Sequence, residues 1–241
     1  MNVFDERTMT MLDWLAGLGA AALTELADVA GLSRAAVAAR LSRLEREALV
    51  SRVRLLHGQP ALYVMTRSGL RVIGRDELGP ARISSSGFVH ALECARVARA
   101  LERSLTGRFS VHSERELRAW ERAAGRLIAS AELGFSVAAA VDVHRPDLVC
   151  LACAGSGRTL PLAIEVELTV KAPQRLRAIV RGWARCRRVA AVVYYATPAA
   201  ARALERAVAE ESAASAVRVF ALDHAALRSP AQSTSPIPSA P

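Results

Sequence analysis

Residues 160–176 read LPLAIEVELTVKAPQRL, an extended apolar run that contains two glutamates and passes into a helical pattern. Glu165 and Glu167 are two residues apart, so in a strand their side chains project from the same face. Lys171 follows and is the only lysine among the 32 lysines and arginines of the chain. A coding bias towards arginine is one explanation for the shortage of lysine. A chemical need for an ammonium group is an explanation for the presence of Lys171.

The residues on both sides of this stretch alternate between helical and extended patterns. SERELRAWERAAGRLIAS predicts a helix capped by Ser113, and VDVHRPDLVCLACAGSGRTLPLAIEVELTV predicts strands joined by a glycine-rich turn. A helix, a buried strand, a helix that begins at Thr197 and Pro198, and a last strand are predicted next, in APQRLRAIVRGWARC, RVAAVVYYA, TPAAARALERAVAEESA and AVRVFAL. Such alternation predicts an α/β fold with a central mixed sheet and helices on its faces.

Three acidic residues of this region fit the chemistry of a metal site. Asp147 follows Pro146 in a predicted strand, and Glu165 and Glu167 share one face of the next. Carboxylates from adjacent strands supply the hard oxygen ligands that Mg²⁺ prefers, and bound Mg²⁺ activates water and neutralises charge on a phosphate. The ammonium of Lys171 can position the attacking water or hold the phosphate as a compact point charge, a role that the planar fork of arginine fills poorly.

The first 75 residues follow a different pattern, which begins with three short helices. RTMTMLDWLAGLG predicts an amphipathic first helix. In the second helix Thr24 is the predicted N-cap, and Gly31 permits the break that follows. Ser33 caps the third helix, on which an apolar stripe consists of Val37, Leu41, Leu44 and Ala48. The opposite face combines small residues with arginines, which suits close approach to the major groove of DNA.

A predicted hairpin and a further helix complete this region. LVSRVRLLHGQPALYVMT predicts two strands around the turn HGQP, and Thr66 caps the helix that follows. An ordinary helical bundle is the alternative, but this order of elements resembles a bacterial winged helix-turn-helix domain over residues 8–75. The resemblance implies that double-stranded DNA is bound by the recognition helix and the wing, through Arg34, Arg40, Arg43, Arg46, Arg52, Arg54 and His57.

The second region resembles the PD-(D/E)xK nuclease superfamily, through RPDLVCL, a turn and LPLAIEVELTVK. Over residues 8–222 the chain resembles the replication-relaxation family found with plasmid and conjugative-element genes, through HALECARVARALER, SERELR, RPDL, AIEVELTVKAPQRLRAIVRGW and VVYYATPAAARALERA. The resemblance implies a winged helix followed by a nuclease-like α/β domain. It also implies a Mg²⁺-dependent DNA endonuclease whose metal ligands are Asp147, Glu165 and Glu167. The other implied catalytic residues are Lys171, as a displaced lysine, and Glu114 or Glu116 from the preceding helix.

One departure from the superfamily motif leaves the activity open. The position two residues after Glu165, where the motif has lysine, is Glu167, so Lys171 must reach the site from the end of the strand. An active nuclease and a degenerate nuclease-like fold are two interpretations. The third is structural, with Glu165 and Glu167 at a sheet edge, paired with arginines of QRLRAIVRGWARCRR.

Two classes of function follow from these interpretations. The first is a DNA-binding protein of a mobile genetic element that acts in plasmid replication, relaxation or mobilisation and has a Mg²⁺-dependent nicking domain. The second is a non-catalytic winged-helix transcriptional regulator whose nuclease-like domain serves dimerisation or partner binding. Replication or conjugation proteins are the expected protein partners, and no cofactor other than Mg²⁺ is expected.

The two regions predict the domain organisation. Residues 1–75 are the predicted winged helix, residues 76–87 a linker, and residues 88–228 a connecting helix with the nuclease-like domain. Residues 229–241 are rich in Pro and Ser and are expected to form a disordered tail. The connecting helix is expected to pack on the second domain or to pair with its copy in a homodimer.

Composition sets the expected environment. With 241 residues, 52% of them hydrophobic, the chain is long and apolar enough to form a buried hydrophobic core. Its net charge of +9 attracts polyanions such as nucleic acid. No apolar run approaches the roughly 20 residues of a membrane span, and the charged start MNVFDERTMT does not fit a secretory signal, so the cytoplasm is expected. The four cysteines are expected to be buried, reduced thiols, with weak metal binding at Cys150 and Cys153 as the alternative.

Overall fold

A computed structural model of the protein describes residues 4–105, 107–135, 141–153 and 160–223, except the side chains of residues 135 and 141. The described residues form eight α-helices and three sheets, which confirms the expected mixed α/β character. The chain divides into two compact units, Met1–Arg99 and Ala100–Pro241. The predicted disordered tail and the predicted glycine-rich turn at 154–159 lie outside the described residues.

The first unit combines short helices with a three-stranded antiparallel sheet. Its helices are α1 (Glu6–Leu18), α2 (Leu23–Ala30), α3 (Arg34–Arg46) and α4 (Arg67–Val72), followed by a 3₁₀ turn at Asp76–Leu78. Its strands are β1 (Ala21–Ala22), β2 (Val50–Val53) and β3 (Leu62–Met65). Strand β3 lies in the middle and pairs with both others in antiparallel fashion, so β2 and β3 form the predicted hairpin.

Local capping signals set the boundaries of α3 and α4. The Ser33 side chain accepts a hydrogen bond from the Ala36 amide at 3.2 Å, and the Thr66 hydroxyl accepts one from the Gly69 amide at 3.0 Å. Each bond satisfies a backbone donor that a helix leaves unpaired at its start. Gly31 ends α2 with a left-handed φ of 60°. Both predicted caps and the predicted glycine break are therefore confirmed.

Two details of the helix predictions are wrong. Thr24 does not cap α2, because Ala21 and Ala22 pair with β3 and the chain passes directly from this strand into the helix with Ala22 at the N-cap. Ala48 does not extend the apolar stripe of α3, because the helix ends at Arg46. Ala48 is instead exposed, with a φ of 55° in the turn that leads to β2.

The start of helix α5 (Phe88–Ser104) belongs to the core of the first unit. Phe88 and Leu92 are fully buried and pack with Leu62 and Val64 of β3. An ion pair of 2.8 Å between Arg99 Nε and the Asp28 carboxylate ties the same helix to α2. The residues before α5 also pack in this unit, where the partly buried hydrophobic residues next to the same cluster include Leu56, Ala81 and Ile83.

The second unit is built on a five-stranded mixed sheet. Its strands are β4 (Phe109–Ser113), β5 (Ala131–Phe135), β6 (Val141–His144), β7 (Leu148–Ala152), β8 (Leu162–Glu167), β9 (Ala191–Ala196) and β10 (Val217–Ala221). The order of the sheet is β10-β9-β8-β7-β4, while β5 and β6 form a separate hairpin. Strands β8, β9 and β10 are parallel, and β7 is antiparallel to both of its neighbours. Its remaining helices are α6 (Glu114–Ala124), α7 (Pro173–Arg185) and α8 (Pro198–Glu210).

Helices α7 and α8 share one hydrophobic core with the sheet. Trp183 of α7, Leu204 of α8 and Val192 of β9 are completely buried in it. Helix α7 also packs closely on β5, because a Cβ atom at Gly182 would lie 2.5 Å from Leu133 Cδ2 and 3.2 Å from the Glu132 carbonyl oxygen. The absence of a side chain at Gly182 thus permits the close approach of α7 to the β5–β6 hairpin.

Strand β8 is the third of the five strands, so Glu165 and Glu167 are not at a sheet edge. The structural interpretation, in which these glutamates pair with arginines of QRLRAIVRGWARCRR, is also wrong, because the ion pairs of these arginines are with other acids. Arg175 bonds to Asp142 at 2.6 Å, and Arg181 holds Glu211 with two bonds of 2.7 and 2.8 Å. The basic run of α7 therefore forms surface ion pairs.

Candidate functional site

The first candidate surface lies on α3 and the β2–β3 hairpin, where positive charge accumulates. Residues 1–32 contain one arginine and five acidic residues, a formal charge of −4. Residues 33–72 contain eight arginines and two glutamates, a formal charge of +6. The charge changes sign where α3 begins, so the unit has a basic segment suited to a polyanion.

Four arginines of α3 and the β2–β3 hairpin are exposed and form no ion pair with another described residue: Arg34, Arg46, Arg52 and Arg54. His57, in the loop of the hairpin, is also exposed. Because no acidic side chain neutralises them, the four guanidinium groups are available to phosphates without first breaking an internal bond. We call these four residues the α3–wing arginines.

Arg40 and Arg43 are placed differently. The Arg40 guanidinium lies 3.3 Å from the Asp5 carboxylate and donates a 3.0 Å hydrogen bond to the Thr8 hydroxyl, which fastens α3 to the start of α1. The Thr8 backbone amide lowers the pKa of the Asp5 carboxyl, and Arg40 lowers it further. Arg43 bonds to Glu47 at 2.8 Å, one turn further along the chain.

The second candidate site is an acidic cluster in the second unit, where β7 and β8 run side by side. Asp147 directly precedes β7, and the register that pairs Leu148 with Ile164 brings Asp147 opposite Glu165. The Asp147 carboxylate accepts a 2.8 Å hydrogen bond from the Val166 amide. Its backbone carbonyl accepts a 2.9 Å bond from the Glu114 amide, so α6 begins beside the cluster.

Glu165 is buried and held by two ring nitrogens. Its Oε1 atom lies 2.7 Å from His144 Nε2 and accepts a 3.2 Å hydrogen bond from Trp183 Nε1. Burial raises the pKa of Glu165, although the His144 imidazole opposes this shift. For His144, burial disfavours the charged ring, but the Glu165 carboxylate outweighs it and raises the pKa of the imidazole. Both pKa values are therefore raised, so in the folded protein His144 and Glu165 hold protons up to a higher pH than free side chains would.

Glu167 and Lys171 form an ion pair at the end of β8. The Glu167 side chain is buried, whereas Lys171 is 38% exposed. The positive charge of Lys171 also acts on Glu165, where it lowers the carboxyl pKa. The ammonium thus lies near both glutamates, within reach of the acidic cluster although it is not in the strand.

Tyr194 of β9 completes this face of the sheet, because the parallel register pairs it with Glu165. Its hydroxyl is fully buried, and no described residue accepts a hydrogen bond from it. Burial and the two glutamates nearby raise the pKa of Tyr194 well above its usual value. A buried hydroxyl beside carboxylates is therefore a neutral donor without an acceptor.

The structure brings some of the predicted catalytic residues together, whereas others are bonded to different partners. Asp147, Glu165 and Lys171 are neighbours, as described above. Glu116 is committed to a capping box with Ser113, and Glu114 forms an ion pair with Arg118. Both glutamates of α6 are therefore engaged at the start of their own helix.

Two carboxylates on adjacent strands match the chemistry of Mg²⁺, which is commonly bound by one or two carboxylates with water and phosphate as the other ligands. In the described part of the chain Asp147, Glu165 and Glu167 do not form a group whose ligand atoms all lie within 4.8 Å of one another, so the three predicted ligands do not converge on one point. Asp147 and Glu165, which lie opposite each other in the strand register, are the pair best placed to share an ion with water and phosphate.

Sequence reasoning missed His144, Trp183 and Tyr194. A histidine three residues before Asp147, in HRPD, was a signal for the first. Trp183 and Tyr194 belong to apolar patterns, and their contact with Glu165 depends on the packing of α7 and on strand register. Among the described residues Cys150 and Cys153 belong to no group of three possible metal ligands. All four cysteines are free thiols as expected, but only Cys150 is buried, and burial raises its pKa to about 12.

No protein-family model matches this chain, and no curated protein matches it at a significant level of similarity. Among the described helices, none has the length and apolar character that crossing a membrane requires.

Proposed function

We propose that this protein is a DNA-binding protein of a mobile genetic element that acts in plasmid replication, relaxation or mobilisation. Its first unit is a winged helix that holds double-stranded DNA, and its second unit is a PD-(D/E)xK nuclease-like domain. The observation that supports DNA binding best is the set of exposed, unpaired α3–wing arginines in a segment of formal charge +6. The mobile-element context rests on the resemblance to the replication-relaxation family.

The arrangement of the first unit supports the winged-helix assignment. A helix, a short strand, two helices and a hairpin follow one another, and the short strand pairs with the second strand of the hairpin. In such domains the helix before the hairpin enters the major groove and the hairpin contacts the backbone beside it. Arg34 and Arg46 on α3 then reach base edges or phosphates, and Arg52 and Arg54 reach phosphates from the wing.

The acidic cluster supports a nicking activity in the second unit. Asp147 and Glu165 would hold Mg²⁺, which when bound supplies charge neutralisation at a phosphate and an activated water. His144 and Trp183 fix the orientation of the Glu165 carboxylate. Lys171 offers a compact cation close to this carboxylate, suited to holding a phosphate oxygen.

A non-catalytic transcriptional regulator is the second candidate function, and the ion pair of Glu167 with Lys171 favours it. Glu167 occupies the position of the motif lysine, and its carboxylate neutralises the lysine that is displaced. The buried carboxylate of Glu165 is likewise bonded within the protein, and a satisfied buried network is stable without a metal. In this case the second unit serves dimerisation or partner binding.

The DNA-binding part is tested by fluorescence anisotropy with a short labelled duplex and the full chain. The double variant Arg52→Ala/Arg54→Ala is expected to bind about tenfold more weakly at moderate salt, because two phosphate contacts are lost. Its matched control is Arg202→Ala/Arg206→Ala, which removes the same charge from exposed positions of α8. Equal losses in both variants would show attraction by net charge alone and contradict the wing assignment.

The choice between the two functions is tested with supercoiled plasmid, in Mg²⁺ or Mn²⁺ and in EDTA. Metal-dependent nicking that is absent in Glu165→Gln and present in Glu205→Gln, an exposed glutamate of α8, would identify a nuclease. Lys171→Arg keeps the charge and changes its shape, so loss of nicking in this variant would show that an ammonium is required. Binding of plasmid without nicking by the wild type would identify the regulator.

A further inference from the structure

A pocket in the second unit is lined mainly by arginines. It has a volume of about 380 Å³ and is formed by Arg118, Glu121, Arg122, Gly125, Arg126, Leu127 and Arg145. Four positive side chains and one negative one give its lining a formal charge of +3. The acidic cluster and the α3–wing arginines do not include any of these residues.

The spacing of residues on α6 builds one wall of the pocket. Arg118, Glu121, Arg122 and Gly125 follow one another at intervals of three, one and three, which places them on one face of the helix. Helix α6 ends at Ala124, and Gly125 takes a left-handed φ of 63° that reverses the chain. Because this backbone conformation disfavours a Cβ atom, glycine is the residue that lets Arg126 and Leu127 return over the end of the helix.

Glu121 fixes the opposite wall. Its buried carboxylate accepts hydrogen bonds from the Ile128 amide at 2.9 Å and from the Ser130 hydroxyl at 2.6 Å. Its second oxygen accepts a 2.9 Å bond from Arg145 Nε. Arg145 is thereby held in place through Nε, and its two terminal nitrogens donate no hydrogen bond to another described residue. The pocket is preorganised by a buried side chain with several partners.

Arg122 and Arg126 give the pocket its uncompensated charge. Both are exposed, and neither forms an ion pair with another residue of the described ranges. By contrast, Arg118 pairs with Glu114 and Arg145 with Glu121. Two free guanidinium groups beside a fixed third match the several oxygens of a phosphate, which planar arginine forks bind with paired hydrogen bonds.

We infer that this pocket binds a phosphate group, either in a nucleic-acid backbone or in a small phosphorylated compound. Arg145 directly follows His144, whose ring contacts Glu165, so one short stretch of chain contributes to both the pocket and the acidic cluster. In the backbone form, a strand of DNA places one of its phosphates in the pocket. This form of the inference rests on the proposed function, whereas the form with a small phosphorylated compound does not.

The test compares the full-length wild type with Arg122→Ala/Arg126→Ala, using Arg202→Ala/Arg206→Ala as the control of equal charge. Calorimetry measures binding of pyrophosphate and of ATP, and anisotropy measures binding of labelled single-stranded and duplex DNA. The pocket variant is expected to lose about tenfold in pyrophosphate affinity, and the slope of log affinity for DNA against log salt is expected to become about two units shallower. The control is expected to behave like the wild type.

Each outcome decides the inference. Loss of pyrophosphate and DNA affinity in the pocket variant alone supports a backbone phosphate, and loss for pyrophosphate and ATP with unchanged DNA binding supports a small phosphorylated ligand. Unchanged binding of every probe, or equal losses in pocket variant and control, overturns the inference. If the wild type does not bind duplex DNA, the proposed function fails, but pyrophosphate binding still decides the pocket.

Discussion

Arg52 and Arg40 are two residues for which the sequence resemblance and the structure predict different effects on DNA binding. The winged-helix resemblance assigns both residues to DNA. In the structure Arg52 is exposed and unpaired among the described residues, whereas Arg40 is bonded to Asp5 and Thr8. Arg52→Ala is therefore expected to remove a phosphate contact, and Arg40→Ala is expected to loosen the link between α1 and α3 without removing one.

The expected change in the salt dependence of DNA binding follows from the number of arginines that have no ion pair. If each of the four α3–wing arginines neutralises one phosphate, together they contribute about −3.6 to the slope of log affinity against log salt. Between about 50 and 200 mM salt this contribution alone weakens binding about 150-fold, and in Arg52→Ala the corresponding factor falls to about 40-fold. Arg40→Ala is expected to keep the slope of the wild type.

The assay is a salt titration of duplex binding by fluorescence anisotropy with three proteins: the wild type, Arg52→Ala and Arg40→Ala. Differences between slopes are compared, since contacts elsewhere on the protein contribute equally to all three. Circular dichroism checks that Arg40→Ala remains folded. A slope for Arg52→Ala that equals that of the wild type would refute the wing assignment. An equal decrease in both variants would refute the argument that an internal ion pair withdraws Arg40 from DNA.

Three further predictions concern the second unit. The pKa of His144 is raised above its usual 6.5 by Glu165, so its contribution to stability is full below pH 6.5 and is lost as the pH rises through the folded pKa. Urea unfolding across this range should show that decline in the wild type and not in His144→Gln. Gly182→Ala should destabilise the protein by about 1–3 kcal/mol, since the new Cβ atom meets Leu133; an unchanged urea midpoint would contradict the close packing of α7 on β5. Cys150, buried and with a pKa of about 12, should resist iodoacetamide at pH 8 until urea unfolds the protein, and mass spectrometry of the native sample would reveal any early labelling.

The sequence by itself determined those features that depend on neighbouring residues. Ser33 and Ser113 mark helix starts because a short side chain caps the backbone amides a few positions ahead. Pro173 and Pro198 are found in the first turns of α7 and α8 for a similar local reason. The alternation of strand and helix after Ser113 also indicated the α/β layer, and period-two spacing placed Glu165 and Glu167 on one face.

Only the tertiary structure decided how these elements meet. Strands β1, β4 and β5 escaped the sequence analysis and are defined by their pairing, β1 with β3 and β4 with β7 across long stretches of chain, and β5 with β6 in a hairpin. The central position of β8 buries Glu165, and the packing of α7 and β6 supplies Trp183 and His144 as its partners. Whether an arginine is free or paired is likewise a matter of distance, as Arg40 and Asp5 show, because residues 35 positions apart become neighbours only when the chain has folded.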